Sequence, residues 1–191
     1  MPVYLPRNLA GMVALASRSQ GRYLTGSIRV RDPGNGLYRA EATDGRILAI
    51  VQGPIPEADY PALQGGGEGT AEMLVPRDAW VQAFKLGDKR RPVGISADAD
   101  HITLAVGDQS VQVPSPEEGR FPDVDGVIPQ HGPLVAVRVK PELLIELLKL
   151  AGAISPEQGV SLLYFGKGKP LGLSTGNDQG QTFDALLMPL T

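Results

Sequence analysis

Three times along the chain, a short extended apolar run meets a proline and gives way to apolar residues at helical spacing. Val3-Tyr4-Leu5-Pro6 leads to Leu9, Met12, Val13 and Ala16. Met73-Leu74-Val75-Pro76 leads to Ala79, Trp80, Ala83 and Phe84. Val135-Ala136-Val137-Arg138-Val139-Lys140-Pro141 leads to Leu143, Leu144, Leu147, Leu148 and Ala151. Proline suits such a start, because the N–H it lacks would have no helical partner there. Each predicted helix is followed by three strand-like runs. The first set covers residues 23–30, 37–42 and 46–51, the second 93–97, 101–106 and 110–113, the third 160–165, 171–174 and 183–189. Turn chemistry separates them: Asp32-Pro33-Gly34-Asn35-Gly36, Asp44-Gly45, Asp98-Ala99-Asp100 and Gly107-Asp108. The pattern predicts an α+β protein of three β-α-β-β-β units. A lone amphipathic helix cannot bury its stripe, and neither can a small sheet. Two units side by side would make one domain, and the third lacks a partner of its own kind.

Two stretches punctuate the repeat. Gln64-Gly65-Gly66-Gly67-Glu68-Gly69 reads as a flexible loop between the first two units. Glu118-Gly119-Arg120-Phe121-Pro122-Asp123-Val124-Asp125-Gly126-Val127-Ile128-Pro129 reads as a hinge before the third, with Phe121 as an apolar anchor and two prolines imposing extended backbone. Domain boundaries are expected at 1–122 and 130–191.

Composition narrows the function. Among 191 residues, 42% are apolar and 20% charged, as in ordinary soluble proteins. The net charge of −3 argues against a polycation built for phosphate backbones, though not against a local basic face. With no cysteine, there is no disulfide framework, thiolate zinc site or cysteine nucleophile. No apolar run approaches a membrane span and no signal-peptide core opens the chain, so the expectation is a cytoplasmic protein without membrane contact. No cofactor motif is present: there is no phosphate-cradling glycine loop followed by Lys-Ser/Thr and no nucleophile elbow. Asp98, Asp100 and His101 form the one compact acid–histidine cluster, at a predicted turn where aspartate serves its own backbone. Glu57 and Asp59 lie in a proline-rich loop. The expectation is a protein that is not an enzyme.

Several segments, in order along the repeat, resemble the bacterial sliding clamp, the beta subunit of DNA polymerase III. Arg22-Tyr23-Leu24-Thr25-Gly26 is similar to the strand after the first helix of that family's middle domain. Ala42-Thr43-Asp44-Gly45-Arg46-Ile47-Leu48-Ala49 resembles its Ala-Thr-Asp-Gly-His-Arg-Leu-Ala segment. Val75-Pro76-Arg77 resembles the start of that domain's second half, residues 118–129 the linker into the last domain, and Leu186-Leu187-Met188-Pro189-Leu190 the carboxy-terminal Val-Met-Pro-Met segment. The resemblance implies a DNA-clamp-like fold: one full clamp domain plus the second half of the last domain. The first domain and the first half of the last are not represented, so the family's head-to-tail ring is not expected.

It also implies sites. The family docks short apolar peptides of polymerases and repair proteins between its middle and last domains. The matching positions are Leu24, Thr43, Gly45, Arg46, Leu48, Pro122, Val127, Leu186, Met188, Pro189 and Leu190. Soft methionine and leucine with a few polar groups suit anchoring an aromatic or leucine side chain. On residue type alone, Leu24, Leu48 and Leu186 read first as core strand positions, and the resemblance reverses that reading. Ile47 stands where the family has a second basic residue, and Thr191 where it often has Arg-Leu. The family also lines a channel with basic helices that touch double-stranded DNA through its backbone. Candidates are Arg18, Arg22, Tyr23, Arg77, Lys85, Lys89, Arg90 and Arg91, each of which reads equally as part of a solvated face. The function expected is a non-catalytic clamp-like accessory of replication or repair. The alternatives are a small hydrolase or nucleotide-binding enzyme on the same scaffold, or a paralogue that has lost DNA and peptide binding. Finally, Leu143, Leu144, Leu147 and Leu148 on an unpartnered third unit predict an oligomer interface. The options are a homodimer through residues 134–191 or a monomer in which the third unit folds back against the first domain and hides its helix.

Overall fold

The computed structural model describes residues 1–18, 24–34, 36–63, 72–116, 120–129, 135–156, 158–176, 178 and 181–190. The predicted loop at 64–69, together with Arg22, Tyr23, Glu118 and Gly119, lies outside them. The described residues form two compact units, Met1–Ile128 and Pro129–Thr191.

In the first unit, β1 (Val3–Leu5) enters a 3₁₀ helix, Arg7–Leu15. Leu9 and Met12 are buried three residues apart, the spacing at which 3₁₀ side chains align. Then come β2 (Ser27–Gly34), β3 (Leu37–Thr43) and β4 (Leu48–Pro54). The second half repeats the plan with β5 (Glu72–Pro76), α1 (Arg77–Ala83), β6 (Val93–Ala97), β7 (His101–Val106) and β8 (Gln109–Pro114). Pro6 and Pro76 are the N-cap residues of their helices.

The halves are laced together. The sheets run β4-β3-β2-β5 and β1-β6-β7-β8, so each half gives its opening strand to the sheet of the other. Leu5 lies opposite Val93, and Val75 opposite Ile28. Between the sheets, Leu5, Ile28, Val75, Trp80, Val93, Ile95 and Leu104 form the buried core, with Trp80 stacked on Phe84 at 4.7 Å between ring centres. The two helices are antiparallel and clasp each other's ends. Arg7 donates to the carbonyls of Phe84 (3.1 Å) and Leu86 (2.9 Å) beyond α1, and Arg77 donates to those of Val13 and Ala16 at the end of the 3₁₀ helix. Guanidinium groups there satisfy carbonyls that the last helical turn leaves unpaired.

The segment predicted as a hinge is packed against this unit up to Ile128. Phe121 and Val124 are buried, and α2 (Val124–Val127) is capped by Asp123, whose carboxylate accepts from the Gly126 N–H. The Arg29 guanidinium lies 4.7 Å over the Phe121 ring. Below it sits a fully buried carboxylate, Glu41, ion-paired with Arg29, with Arg31 at 2.7 Å and with Arg39 at 2.6 Å. Asp125 of α2 reaches the same Arg31 (3.1 Å) and Arg39 (2.7 Å), which tie α2 to β2 and β3.

The second unit holds α3 (Pro141–Ile154), β9 (Ser161–Tyr164), β10 (Leu171–Gly176) and β11 (Thr182–Leu187), with sheet order β11-β10-β9. Its core is Ala151, Leu173, Phe183 and Leu187, with Leu144 and Leu147 packed against it. The predicted opening strand at 135–140 does not form: these residues are in no ladder, because a sheet partner of the kind that β1 and β5 find is missing among the described residues. Pro141 is the first helical residue rather than the cap, so the repeat aligns at the helix start and Lys140 stands where Pro6 and Pro76 stand.

Candidate functional site

The predicted docking residues divide between the two units. In the first, Thr43, Gly45 and Arg46 build the turn between β3 and β4. The Thr43 hydroxyl donates to the Ile47 carbonyl (2.6 Å) and accepts from the Gly45 N–H (3.0 Å). Asp44 Oδ1 accepts from the N–H groups of Arg46 (2.9 Å) and Ile47 (3.0 Å), and these bonds hold its carboxyl below the usual range. Gly45 has φ 90°, a conformation that side chains disfavour, so the Asp-Gly pair sets this turn. Arg46 projects exposed from it while Thr43 is buried. Leu48 and Leu24 are half-buried, and the Leu24 N–H donates to the Arg120 carbonyl (3.2 Å), next to the Phe121 anchor. Pro122 is half-buried, and Val127 on α2 is 67% exposed.

In the second unit, β11 and the residues after it present Leu186 (67% exposed), Met188 (66%) and Leu190, with Pro189 half-buried between them. Leu187 points the other way, into the core, as strand alternation requires. Met188, Pro189 and Leu190 line a cavity of about 700 Å³ together with residues 136–138, Tyr164 and the turn 166–169. Arg138, Lys167 and Lys169 give this cavity a basic rim, a feature that the sequence reading did not single out.

The basic candidates have mixed surroundings. Arg18 and Lys85 are exposed. Arg77 is engaged by the helix clasp, and Lys89 Nζ donates to the Phe84 carbonyl (3.0 Å). Arg90 grips Asp88 through paired hydrogen bonds, the shortest 2.8 Å, and this contact holds the Asp88 carboxyl down to about 2. Arg91 lies 5.8 Å over the Tyr60 ring. Arg22 and Tyr23 are outside the described residues. Asp98 of the acid–histidine cluster spends Oδ1 on the N–H groups of Asp100 (2.9 Å) and His101 (2.8 Å), the geometry of a turn. Among the described residues, no group of three or more acidic and histidine side chains is placed to hold a metal, and no helix is long and apolar enough to cross a membrane. On α3, Leu143 and Leu148 are exposed, whereas Leu144 and Leu147 face the core of their own unit.

Paired β-α-β-β-β halves with exchanged opening strands and two antiparallel helices define a DNA-clamp fold, and the match to solved clamps is extensive. A DNA polymerase sliding clamp from Pseudomonas aeruginosa superposes with a TM-score of 0.73 at 19% identity, over 99% of this chain and 51% of that one. The sliding clamp from Caulobacter crescentus gives 0.70 at 21% identity, over 98% and 50%. DNA polymerase III subunit beta from Borrelia burgdorferi, solved in complex with a natural product, gives 0.71 at 12% identity, over 98% and 48%. The chain thus has the sliding-clamp fold and spans about half the length of these proteins. No protein-family model and no curated protein sequence matches it.

Proposed function

We propose that this chain is a non-catalytic, clamp-like scaffold of DNA replication or repair that docks short apolar peptides of polymerase or repair partners. One observation carries the reading: the clamp fold extends over essentially the whole chain while apolar side chains at the carboxy-terminal segment, Leu186, Met188 and Leu190, stay out of the core. Residues 1–122 act as a complete clamp-like domain and 130–191 as a half domain. In the first unit the residues that contact such a peptide are Leu24, Thr43, Gly45, Leu48, Pro122 and Val127, with Arg46 as a cation, and in the second unit they are Leu186, Met188, Pro189 and Leu190. A Pseudomonas aeruginosa sliding clamp has been solved bound to griselimycin, so a protein of this fold presents a ligand site.

The test is fluorescence anisotropy with a labelled Gln-Leu-x-Leu-Phe peptide. Binding is expected in the micromolar range, about −8 kcal/mol. Met188→Asp places a charge in the apolar surface and is expected to abolish binding with the melting curve intact, because Met188 is mostly exposed. No binding by the wild type at high peptide concentration would overturn the reading. Contact with duplex DNA through Arg18, Lys85 and the 89–91 loop would be weak, independent of sequence and steeply weakened by salt. An affinity that is flat in salt excludes phosphate contact.

A further inference from the structure

The first unit shows how a β-α-β-β-β half is completed. Its opening strand leaves its own half and pairs antiparallel with the first strand after the other half's helix: β1 on β6, β5 on β2. The exchange is reciprocal. On the receiving strands, Ser27 to Val30 and Val93 to Ser96 are buried without interruption.

The third unit carries both ends of this exchange, and neither is joined among the described residues. Its receiving strand, β9, pairs only with β10, and all four of its residues are exposed, Leu162 by 62%. Its opening segment, 135–139, forms no ladder. Arg138 offers its carbonyl to the Leu190 N–H (2.7 Å) on one edge, while Val137 and Val139 make no backbone hydrogen bond to any described residue. Aligned at the helix start, Val137 and Val139 stand where Val3 and Leu5, and Met73 and Val75, stand in the first unit. An apolar strand edge left open is a template for another strand. Beside it, α3 exposes Leu143 and Leu150, seven residues apart on one flank.

We propose that two copies of this chain associate about a two-fold axis, each laying residues 135–139 antiparallel along β9 of the other. The occupant is a second copy because one copy displays both the free donor segment and the free receiving edge, so the surface is its own complement and the contact closes. The register follows the first unit. Leu5 faces Val93 and Val3 faces Ile95, so Val139 of one copy faces Val160 of the other, and Val137 faces Leu162. Charge agrees: α3 helices set antiparallel, like the helices of the first unit, bring Glu142 of one copy toward Lys149 of the other. One feature of the first unit is not reproduced. Pro141 stands where Arg7 and Arg77 stand, so the helix clasp is absent and the association rests on the ladder and apolar contacts. A reversible dimer is the result. This inference does not depend on peptide docking.

Sedimentation equilibrium of the full chain from about 1 µM to about 200 µM is expected to show monomer passing into dimer. Leu162→Lys puts a charge on the receiving edge and is expected to weaken dimerisation about tenfold or more, with the fold kept because the side chain is already exposed. Leu37→Lys, a comparable exposed leucine in the first unit, leaves dimerisation unchanged. Because the chain has no cysteine, Val137→Cys and Leu162→Cys proteins can be mixed and oxidised on a blank background. A covalent dimer joining the two variants is expected in the mixture and not from either variant alone. The proposal is overturned by a wild type that stays monomeric across the range. It is equally overturned if Leu162→Lys dimerises as the wild type does, if the chain assembles only with a different protein, or if Leu162→Cys cross-links to itself instead of to Val137→Cys.

Discussion

β2 and β9 hold the same place in their units: each is the first strand after a helix and each begins a three-stranded meander. Yet Ile28 on β2 is fully buried, while β9 is exposed along its whole length. Residue type does not separate them, since Ser-Leu-Leu-Tyr is at least as apolar as Ser-Ile-Arg-Val. The difference lies outside the strand. β2 has β5 beside it and α1 nearby, whereas among the described residues β9 has only β10 beside it. Burial in this fold is conferred by the partner half, so a single half cannot bury its own receiving strand.

The comparison can be broken most severely at Ile28. Ile28→Lys buries an unpaired ammonium and is expected to cost more than about 4 kcal/mol, unfolding the first unit, whereas Leu162→Lys in dilute protein costs less than about 0.5 kcal/mol. Urea denaturation of both variants below the dimerisation range measures the contrast, and similar losses would refute it. Next in size is Trp80→Ala, expected to cost about 3–5 kcal/mol through the cavity left against Phe84. Leu148→Ala on α3 costs under about 1 kcal/mol by the same reasoning. Trp80→Phe should cost far less than Trp80→Ala, because the buried indole N–H has no partner among the described residues to lose.

Glu41→Gln sharpens a second contrast, between the packed segment 120–128 and the rest of the chain. Removing the one carboxylate that faces Arg29, Arg31 and Arg39 is expected to cost about 3 kcal/mol and to speed hydrogen exchange at 121–127. Unchanged exchange there would mean that the network does not hold α2. The smallest effects come from acid. Asp125 is held below its ordinary value by Arg31 and then Arg39, and Asp88 is held at about 2 by Arg90. For a carboxyl whose folded value is depressed, the stabilisation is complete above the unfolded value and is lost as pH falls through the folded one. Both contacts therefore persist at neutral pH; that of Asp88 fails as pH falls toward about 2, and that of Asp125 fails below the ordinary carboxylate range. An NMR titration of Asp88 with a midpoint near 4 would contradict the Arg90 clamp.

The turn at 43–47 was legible because Asp-Gly carries its own geometry: the carboxylate bonds the next N–H groups and glycine takes the positive φ. The repeat of proline, helix and three strands was legible for a similar reason, since period and turn residues act over a few positions. The 310-like spacing of Leu9 and Met12 still read as a helix. The Glu41 cluster was not legible, because its four residues lie scattered among alternating strand positions and meet only after β2 and β3 pair. The packing of the predicted hinge against the first unit was not legible for the same cause. Its prolines and glycines signal a linker, but Phe121 and Asp125 find Arg29, Arg31 and Arg39 only on a folded sheet. By itself, then, the sequence determined the repeat and most of its strands and helices, but not that residues 135–140 stay out of any ladder. Only the tertiary structure decided that opening strands cross between halves, because ladder pairing joins residues some ninety positions apart and no local pattern records which edge a strand will meet.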